Sequence, residues 1–431
     1  MTDTATSTFD FRPATAAFER MLVRLRAVDH FAIGRRVLTL VALARYNTVM
    51  AMVLRGVAGS GSDTARHLVI RQILEQPIDA PAAVKEAFQS VLIPDVMQSR
   101  WEQGVDYAAA ILTELPLSVP DRHFGEWFSE RLDQIVSAGP LAPEVSTPLY
   151  LAEFMVQLAS IKPGQYVFDP CCGQGGLLAE AWKREPSAAL RGSDIHPISA
   201  ALAQLRFALL QVPAIIQRED SLLELQLEQF DRVLCDPPLG FYGEFAGQRS
   251  ADTKRLETLF LERSVDALAP GGRAVVLVTQ AVLARRGAEQ ILRKRILEAG
   301  LLEAVIALPA SAVPRASVDM AILILSRNDA NTAVRMFDGG LVASTRAVRG
   351  GHVFAAIRSI FEAGDSDGCR SVDYANLREA DGWIPRRYIA PPVRGRDPSL
   401  LRTEAHAYLK RAAERLPRIL ALFDEVLPKD T

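Results

Sequence analysis

Two clusters in this 431-residue chain combine residue types and spacing that can do chemistry. The first is Asp236-Pro237-Pro238, which follows the apolar run Val233-Leu234-Cys235. Two prolines fix φ and carry no N–H donor, so the acid and the Pro237 carbonyl can both face a ligand as acceptors. Two acceptors aimed at an NH₂ group hold both of its hydrogens and direct its lone pair at an electrophile, which is amine alkylation by positioning. The competing reading is a buried Pro-Pro turn with no ligand. The second cluster is Asp169-Pro170-Cys171-Cys172-Gly173-Gln174-Gly175-Gly176, an apolar run that enters a Gly-rich turn. Glycines there permit positive φ and close approach of backbone to a ligand. Alone, such a turn is equally consistent with a plain strand-to-helix connection.

Two further acids separate these readings. Asp194, followed by Ile195, ends the next apolar run twenty-five residues after Asp169, where a carboxylate can accept both hydroxyls of a ribose. Asp220 follows the third strand position and is placed to accept from an adenine amino group. The turn lacks the Gly-x-Gly-x-x-Gly spacing of a dinucleotide site, and it opens with an acid where a phosphate would be repelled. The pattern fits a cationic, phosphate-free nucleoside. Cys171 and Cys172 read as small packing residues, and His196 as the start of a helix.

The elements that must position these residues show in the apolar periodicity. From residue 146 onward, short apolar runs alternate with amphipathic stretches: strands end near Phe168, Ser193, Cys235, Val278, Leu308 and Ser326, with helices over 176–183, 198–210, 255–268 and 288–298. Such alternation predicts an α/β fold with a mostly parallel sheet covered on both faces. Before it, apolar residues recur at helical spacing, as in Phe18, Met21, Leu22 and Leu25 and again in Phe124, Trp127, Phe128 and Leu132. The expected organisation is a helical N-terminal domain over 1–140, a catalytic domain over 141–327 and a mixed C-terminal region over 328–431. That last region carries a terminal helix near 403–426 whose apolar stripe packs on its own domain or docks a partner.

Composition narrows the function. No apolar run approaches the roughly 20 residues needed to span a bilayer, and the N-terminus does not read as a secretion signal, so the expected location is the cytoplasm. The four cysteines lack the paired spacing of a zinc or disulfide framework, and no metal is expected. A net charge of −2 argues against a protein that grips a long nucleic acid unaided. The cluster Arg285, Arg286, Arg293, Lys294 and Arg295 reads first as a solvated helix face. Arg386, Arg387, Arg394 and Arg396, interleaved with Trp383 and Tyr388, form a better candidate for a surface that faces DNA or a partner.

The ordered combination, over about residues 143–327, resembles the N6-adenine DNA methyltransferases, in particular the modification subunits of type I restriction-modification systems. The resemblance implies a Rossmann-like domain dependent on S-adenosylmethionine. Thr147 and Pro148 would correspond to the family's Thr-Pro element at the methionine end of the cofactor. Asp169, Pro170, Gly173, Gly175, Asp194, Ile195 and Asp220 would complete the cofactor site. Asp236, Pro237 and Pro238 would hold the adenine amine. The family usually has Phe or Tyr after the two prolines, to stack on a flipped-out base; here the residue is Leu239, and Phe241 or Tyr242 is the expected substitute. The implied partners are DNA, a separate specificity subunit and a restriction subunit. Two alternatives stand beside this reading: methylation of another amine or amide, such as a protein glutamine or an RNA base, and a catalytically silent methylase-like scaffold.

Overall fold

The computed structural model describes residues 9–25, 30–57, 80–92, 101–115, 121–138, 147–223, 228–239, 255–309, 318–328, 331–346, 352–363, 368–379 and 382–389. The chain divides into two compact units, Met1–Ile389 and Ala390–Thr431. The second, with the expected terminal helix and with Arg394 and Arg396, lies outside the described residues.

The sheet is nine-stranded: β1 (Tyr166–Asp169), β2 (Ala189–Asp194), β3 (Ala214–Arg218), β4 (Phe230–Cys235), β5 (Leu268–Thr279), β6 (Leu302–Ala307), β7 (Met320–Ser326), β8 (Ala333–Asp338) and β9 (Cys369–Asp373). They run in the order β3-β2-β1-β4-β5-β7-β6-β8-β9. Pairings from β3 through β5 are all parallel, β7 runs antiparallel between β5 and β6, and β9 is antiparallel to β8. The α/β class expected from the alternating runs is the one found. β8 and β9 lie beyond residue 327 and hydrogen-bond into the same sheet, which therefore continues past that expected boundary.

Burial on both faces explains the nearly continuous apolar runs. On β5, Val275 and Leu277 join a core beneath the helices Leu149–Ala159 and His352–Ala363, while Ala274, Val276 and Val278 join the opposite core, which includes Leu261 and Val265 of the helix Leu256–Asp266. The helix Ala288–Glu298 adds Leu292 and Ile296 to that second face.

The N-terminal part is helical, with Arg12–Leu25, His30–Tyr46, Thr48–Val57, Trp101–Glu114 and Asp121–Ala138. Its core takes in Leu202, Leu205 and Leu209 from the helix Pro197–Leu210, so it is packed onto the sheet layer. The backbones approach closely at Gly125, where a Cβ would lie 2.2 Å from the Leu209 carbonyl oxygen. Arg206, fully buried, donates to the Asp133 carboxylate at 2.5 Å across the same junction. A charge so enclosed requires a partner, because desolvation is costly.

Candidate active site

Strand order reverses between β1 and β4: from β1 the chain steps outward to β2 and β3, and then returns to the other side of β1. Loops on the carboxyl side of such a switch point diverge and leave a crevice. Asp169 ends β1 and Asp236 immediately follows β4, so the two clusters picked out by sequence become neighbours. One cleft is lined by Thr147, Asp169, Gly173, Gln174 and Asp236, together with Cys171 and Leu177.

The Gly-rich turn is shaped by its own backbone. Gly173 and Gly175 have φ of 55° and 79°, the left-handed region in which a Cβ is strained. A Cβ on Gly175 would also sit 2.9 Å from the Phe207 ring. The Cys171 N–H donates to Asp169 Oδ1 at 3.1 Å, the Cys172 N–H to the Ser193 carbonyl at 2.9 Å and the Gly175 N–H to the Cys172 carbonyl at 2.8 Å. Cys172 is buried against Gly192, where any Cβ would meet its sulfur at 2.9 Å. The helix Gly176–Arg184 starts directly after the turn.

Asp194 bridges β2 to this turn: Oδ2 accepts from the Gly173 N–H at 2.9 Å and Oδ1 from the His196 N–H at 2.8 Å. Each oxygen keeps a second lone pair, so the ribose role expected for Asp194 is compatible with a structural one. His196 precedes the helix Pro197–Leu210, the helix-start position expected of it. Asp220 Oδ1 accepts from the Leu222 N–H at 3.0 Å, and the Ser221 hydroxyl donates to the Pro170 carbonyl at 2.6 Å, tying the β3 end to the turn. Ile195 and Leu223 are 66% and 52% exposed beside these acids, leaving apolar surface next to polar acceptors. Pro148 caps the helix Leu149–Ala159.

At the β4 end, Thr147 Oγ1 donates to Asp236 Oδ2 at 2.7 Å. Pro237 is buried and Pro238 half-buried, while Leu239 packs against the core under the helix Leu149–Ala159. Cys171 is half-buried, 3.6 Å from the buried Cys235 sulfur and 3.5 Å from the Asp236 carbonyl, consistent with a packing role. Phe241 and Tyr242, the expected aromatic substitutes, lie outside the described residues.

The cleft is acidic. Burial pushes the Asp169 carboxyl well above the usual carboxylate range, reinforced by the charges of Asp236 and Asp194 and opposed by the Cys171 N–H. Burial also raises Asp194, against the pull of its two N–H donors. Asp236 is pushed up to about 6 by burial, and the Thr147 hydroxyl holds it below what burial alone would give. None of the described residues lining the cleft is basic, so a cation entering it would relieve this repulsion.

Sequence reasoning passed over Gln174, an unassigned position between two glycines. The residue is 6% exposed, lines the cleft, and its Oε1 accepts no hydrogen bond. A buried acceptor without a donor calls for one from a ligand. A polar amide inside a ligand-cradling turn was the available signal. Ser193 and Ser221 were also missed: Ser193 donates to the Glu219 carboxylate, and Ser221 secures Pro170. Neither bond can be seen in local spacing.

In the cluster expected on a solvated helix face, Lys294 and Arg295 are exposed, and Arg293 is the correction. Arg293 is buried and donates to the Val282 and Arg285 carbonyls at 2.6 and 2.9 Å. Arg285 pairs with Glu289 at 3.2 Å and Arg295 with Asp266 at 2.7 Å. Of the surface expected around Trp383 and Tyr388, the structure corrects the aromatic part alone, because the side chain of Arg386 is 73% exposed and Arg387 is exposed. Trp383 is 1% exposed and in the core, the Tyr388 hydroxyl donates to the Gly382 carbonyl at 2.6 Å, and Arg386 is held by the buried Asp338 at 2.6 Å. Aromatic burial drew the Trp383 ring inward and left Arg386 and Arg387 outside.

Fold and site together define a class: a doubly wound α/β protein whose switch-point crevice is acidic and edged by an acid-Pro-Pro loop. Within that class the chain belongs to the N-6 DNA Methylase family, whose profile matches residues 124–348. The methylase subunit of the type I restriction enzyme EcoEI of Escherichia coli is 27% identical over 215 residues, which cover 44% of this chain and 44% of that protein. The tRNA (guanine(10)-N2)-dimethyltransferase of Methanocaldococcus jannaschii is 34% identical over 152 residues, covering 33% of this chain and 40% of that protein. The matches thus span less than half the length of these curated relatives. In fold, the chain is similar to the methyltransferase subunit of a type I restriction-modification system from Streptococcus thermophilus, with a TM-score of 0.65 at 18% identity, over 89% of this chain and all of that one. Among the described residues, no helix is long and apolar enough to cross a membrane.

Proposed function

We propose that the chain is an S-adenosylmethionine-dependent methyltransferase that modifies the N6 amine of adenine in DNA, as the modification subunit of a type I-like restriction-modification system. The observation that carries this reading is the single cleft joining the acidic Gly-rich turn to Asp236-Pro237-Pro238 across the β1/β4 switch point. The unsatisfied Gln174 Oε1 and the carboxylates of Asp169 and Asp194 suit a ligand that brings an ammonium, a sulfonium and ribose hydroxyls. In this reading Asp169, Pro170, Gly173, Gln174 and Gly175 form the methionine side of the cofactor site, and Asp194, Ile195 and Asp220 the nucleoside side. When bound, the cofactor supplies an electrophilic methyl group on sulfur.

The chain's own residues do the rest by placement. Asp236 and the Pro237 carbonyl accept the two amine hydrogens and orient the nitrogen lone pair along the cleft. As the nitrogen gains its bond to carbon, positive charge grows on it, and the ionised Asp236 balances that charge. The nitrogen must then lose a proton, which Asp236 is placed to accept. The target base must leave the duplex, because its amine cannot be reached within the stack. With a net charge of −2, the chain depends on a specificity subunit for much of its hold on DNA.

The match to a tRNA guanine-N2 methylase favours a second reading, an exocyclic amine of an RNA base. Labelled methyl transfer from S-adenosylmethionine to adenine-containing duplex DNA, and separately to transfer RNA, each with and without neighbouring gene products, decides between them. Label on N6-methyladenine in DNA is the expected result. Label confined to RNA overturns the DNA reading, and label in neither overturns the enzymatic one.

A further inference from the structure

Thr147 belongs to the Thr-Pro element that the sequence resemblance places at the methionine end of the cofactor, yet its hydroxyl points elsewhere. It donates to Asp236 Oδ2 at 2.7 Å, between residues 89 positions apart in the chain. We propose that Thr147 is a positioning residue for Asp236: by occupying Oδ2, it fixes the carboxylate plane and leaves Oδ1 to receive the substrate amine. This rests on the methyltransferase reading and deepens it.

Both partners stand on stiff backbone. The residue before a proline is confined to extended conformations, which limits where the Thr147 hydroxyl can go. Pro148 caps the helix Leu149–Ala159, and its carbonyl accepts from the Leu151 and Ala152 N–H groups at 2.8 and 2.9 Å. Leu151 and Met155 of that helix are fully buried, so the helix is fixed to the core. Asp236 is followed by Pro237 and Pro238, whose rings set φ and prevent the loop from swinging. A free Asp side chain turns about two bonds, and one hydrogen bond from a fixed donor removes most of that freedom. A hydroxyl has a single proton. If Thr147 gives it to Asp236, only its lone pairs remain for a cofactor, and they can accept from an ammonium but not hold a carboxylate.

The same bond favours the ionised acid. Among the described residues, the titratable groups that interact with Asp236 are Asp169 at the end of β1, Cys171 in the turn and Cys235 on β4, and none of these supplies positive charge. The Thr147 hydroxyl is the stabilising contact set against burial. Removing it should therefore raise the pH at which Asp236 ionises.

The test uses the full chain, with its partner subunits where activity needs them, and compares Thr147→Val with Thr147→Ser. Carbon-13 NMR of Asp-labelled protein, assigned with Asp236→Asn, follows the titration of Asp236 directly and without turnover. The wild-type and Thr147→Ser proteins should titrate near 6, and Thr147→Val at a clearly higher pH. Calorimetry should find the S-adenosylmethionine affinity of Thr147→Val within about twofold of wild type, and kinetics should find kcat reduced by roughly tenfold with the acid limb moved upward, since a hydrogen bond to a charged group is worth about one decade or more. Serine should restore both. An unmoved Asp236 titration in Thr147→Val overturns the proposal, as does a tenfold loss of cofactor affinity with kcat intact, which would return Thr147 to the methionine end of the site. Absence of methyl transfer by the wild type would count against the functional reading alone, because the NMR titration still reports whether Thr147 governs Asp236.

Discussion

At the scale of single residues, Asp236 links chemistry to stability. Its carboxyl titrates at about 6 in the fold, against 3.8 when unperturbed. Because the folded value is raised, the stability associated with the protonated acid is fully present below about pH 4 and is lost as pH rises through 6. Asp236→Asn should therefore leave stability unchanged near pH 4 and increase it at pH 8, on the order of 1–2 kcal/mol after allowing for partial exposure, as read by chemical denaturation. Catalysis runs the other way: kcat/KM, which reports the free enzyme, should rise through about pH 6 as Asp236 ionises, and Asp236→Ala should abolish transfer while sparing cofactor affinity. Asp194 differs, because it holds the Gly173 and His196 N–H groups in addition to the nucleoside role proposed for it. Asp194→Ala should weaken S-adenosylmethionine binding at least about tenfold by calorimetry, and equal affinities would remove Asp194 from the site.

At the scale of elements, the site depends on turns and helix contacts that tolerate no added atom. Gly175 combines a φ of 79° with the Phe207 ring 2.9 Å from the position of a Cβ. Gly175→Ala should lower the thermal midpoint and weaken cofactor binding together, because the turn cannot relax away from Phe207 without moving Gly173. Gly125 is a control remote from the chemistry. Its missing Cβ would meet Leu209 backbone at 2.2 Å, so Gly125→Ala must push the helix Asp121–Ala138 off the helix Pro197–Leu210 at a cost of about 3 kcal/mol, measurable as a shift in the denaturation midpoint. If Gly125→Ala is as stable as the wild type, the close packing of the helical layer on the sheet is misjudged.

At the scale of the whole molecule, the net charge of −2 gives the chain little electrostatic hold on nucleic acid. The purified chain should bind duplex DNA weakly and with little sequence preference, measured by fluorescence anisotropy over a salt series. Tight, sequence-specific binding by the chain alone would refute the dependence on a specificity subunit. Removing residues beyond about Leu401, which lie outside the described residues, is expected to spare cofactor binding and abolish assembly with that subunit.

The sequence by itself determined whatever is carried by neighbours along the chain. Asp169 through Gly176 could be read as a ligand turn because glycines permit left-handed backbone, and Asp236-Pro237-Pro238 as a rigid acceptor loop because proline restricts its own φ. Apolar runs buried on both faces announced a mostly parallel sheet. The tertiary structure decided which groups meet across distance. Strand order set β4 beside β1 and so brought Asp236 to the Gly-rich turn; packing of the helix Leu149–Ala159 on the sheet brought the Thr147 hydroxyl to Asp236; and Ser221 reached Pro170 because β3 stands two strands from β1. Trp383 shows the same limit in reverse: its arginine neighbours marked a surface, and packing against the sheet buried the ring. Hydrogen bonds and burial between remote segments follow from the order and spacing of the strands, which leave no periodic signature in the sequence, whereas turn and strand conformations follow from each residue's own sterics.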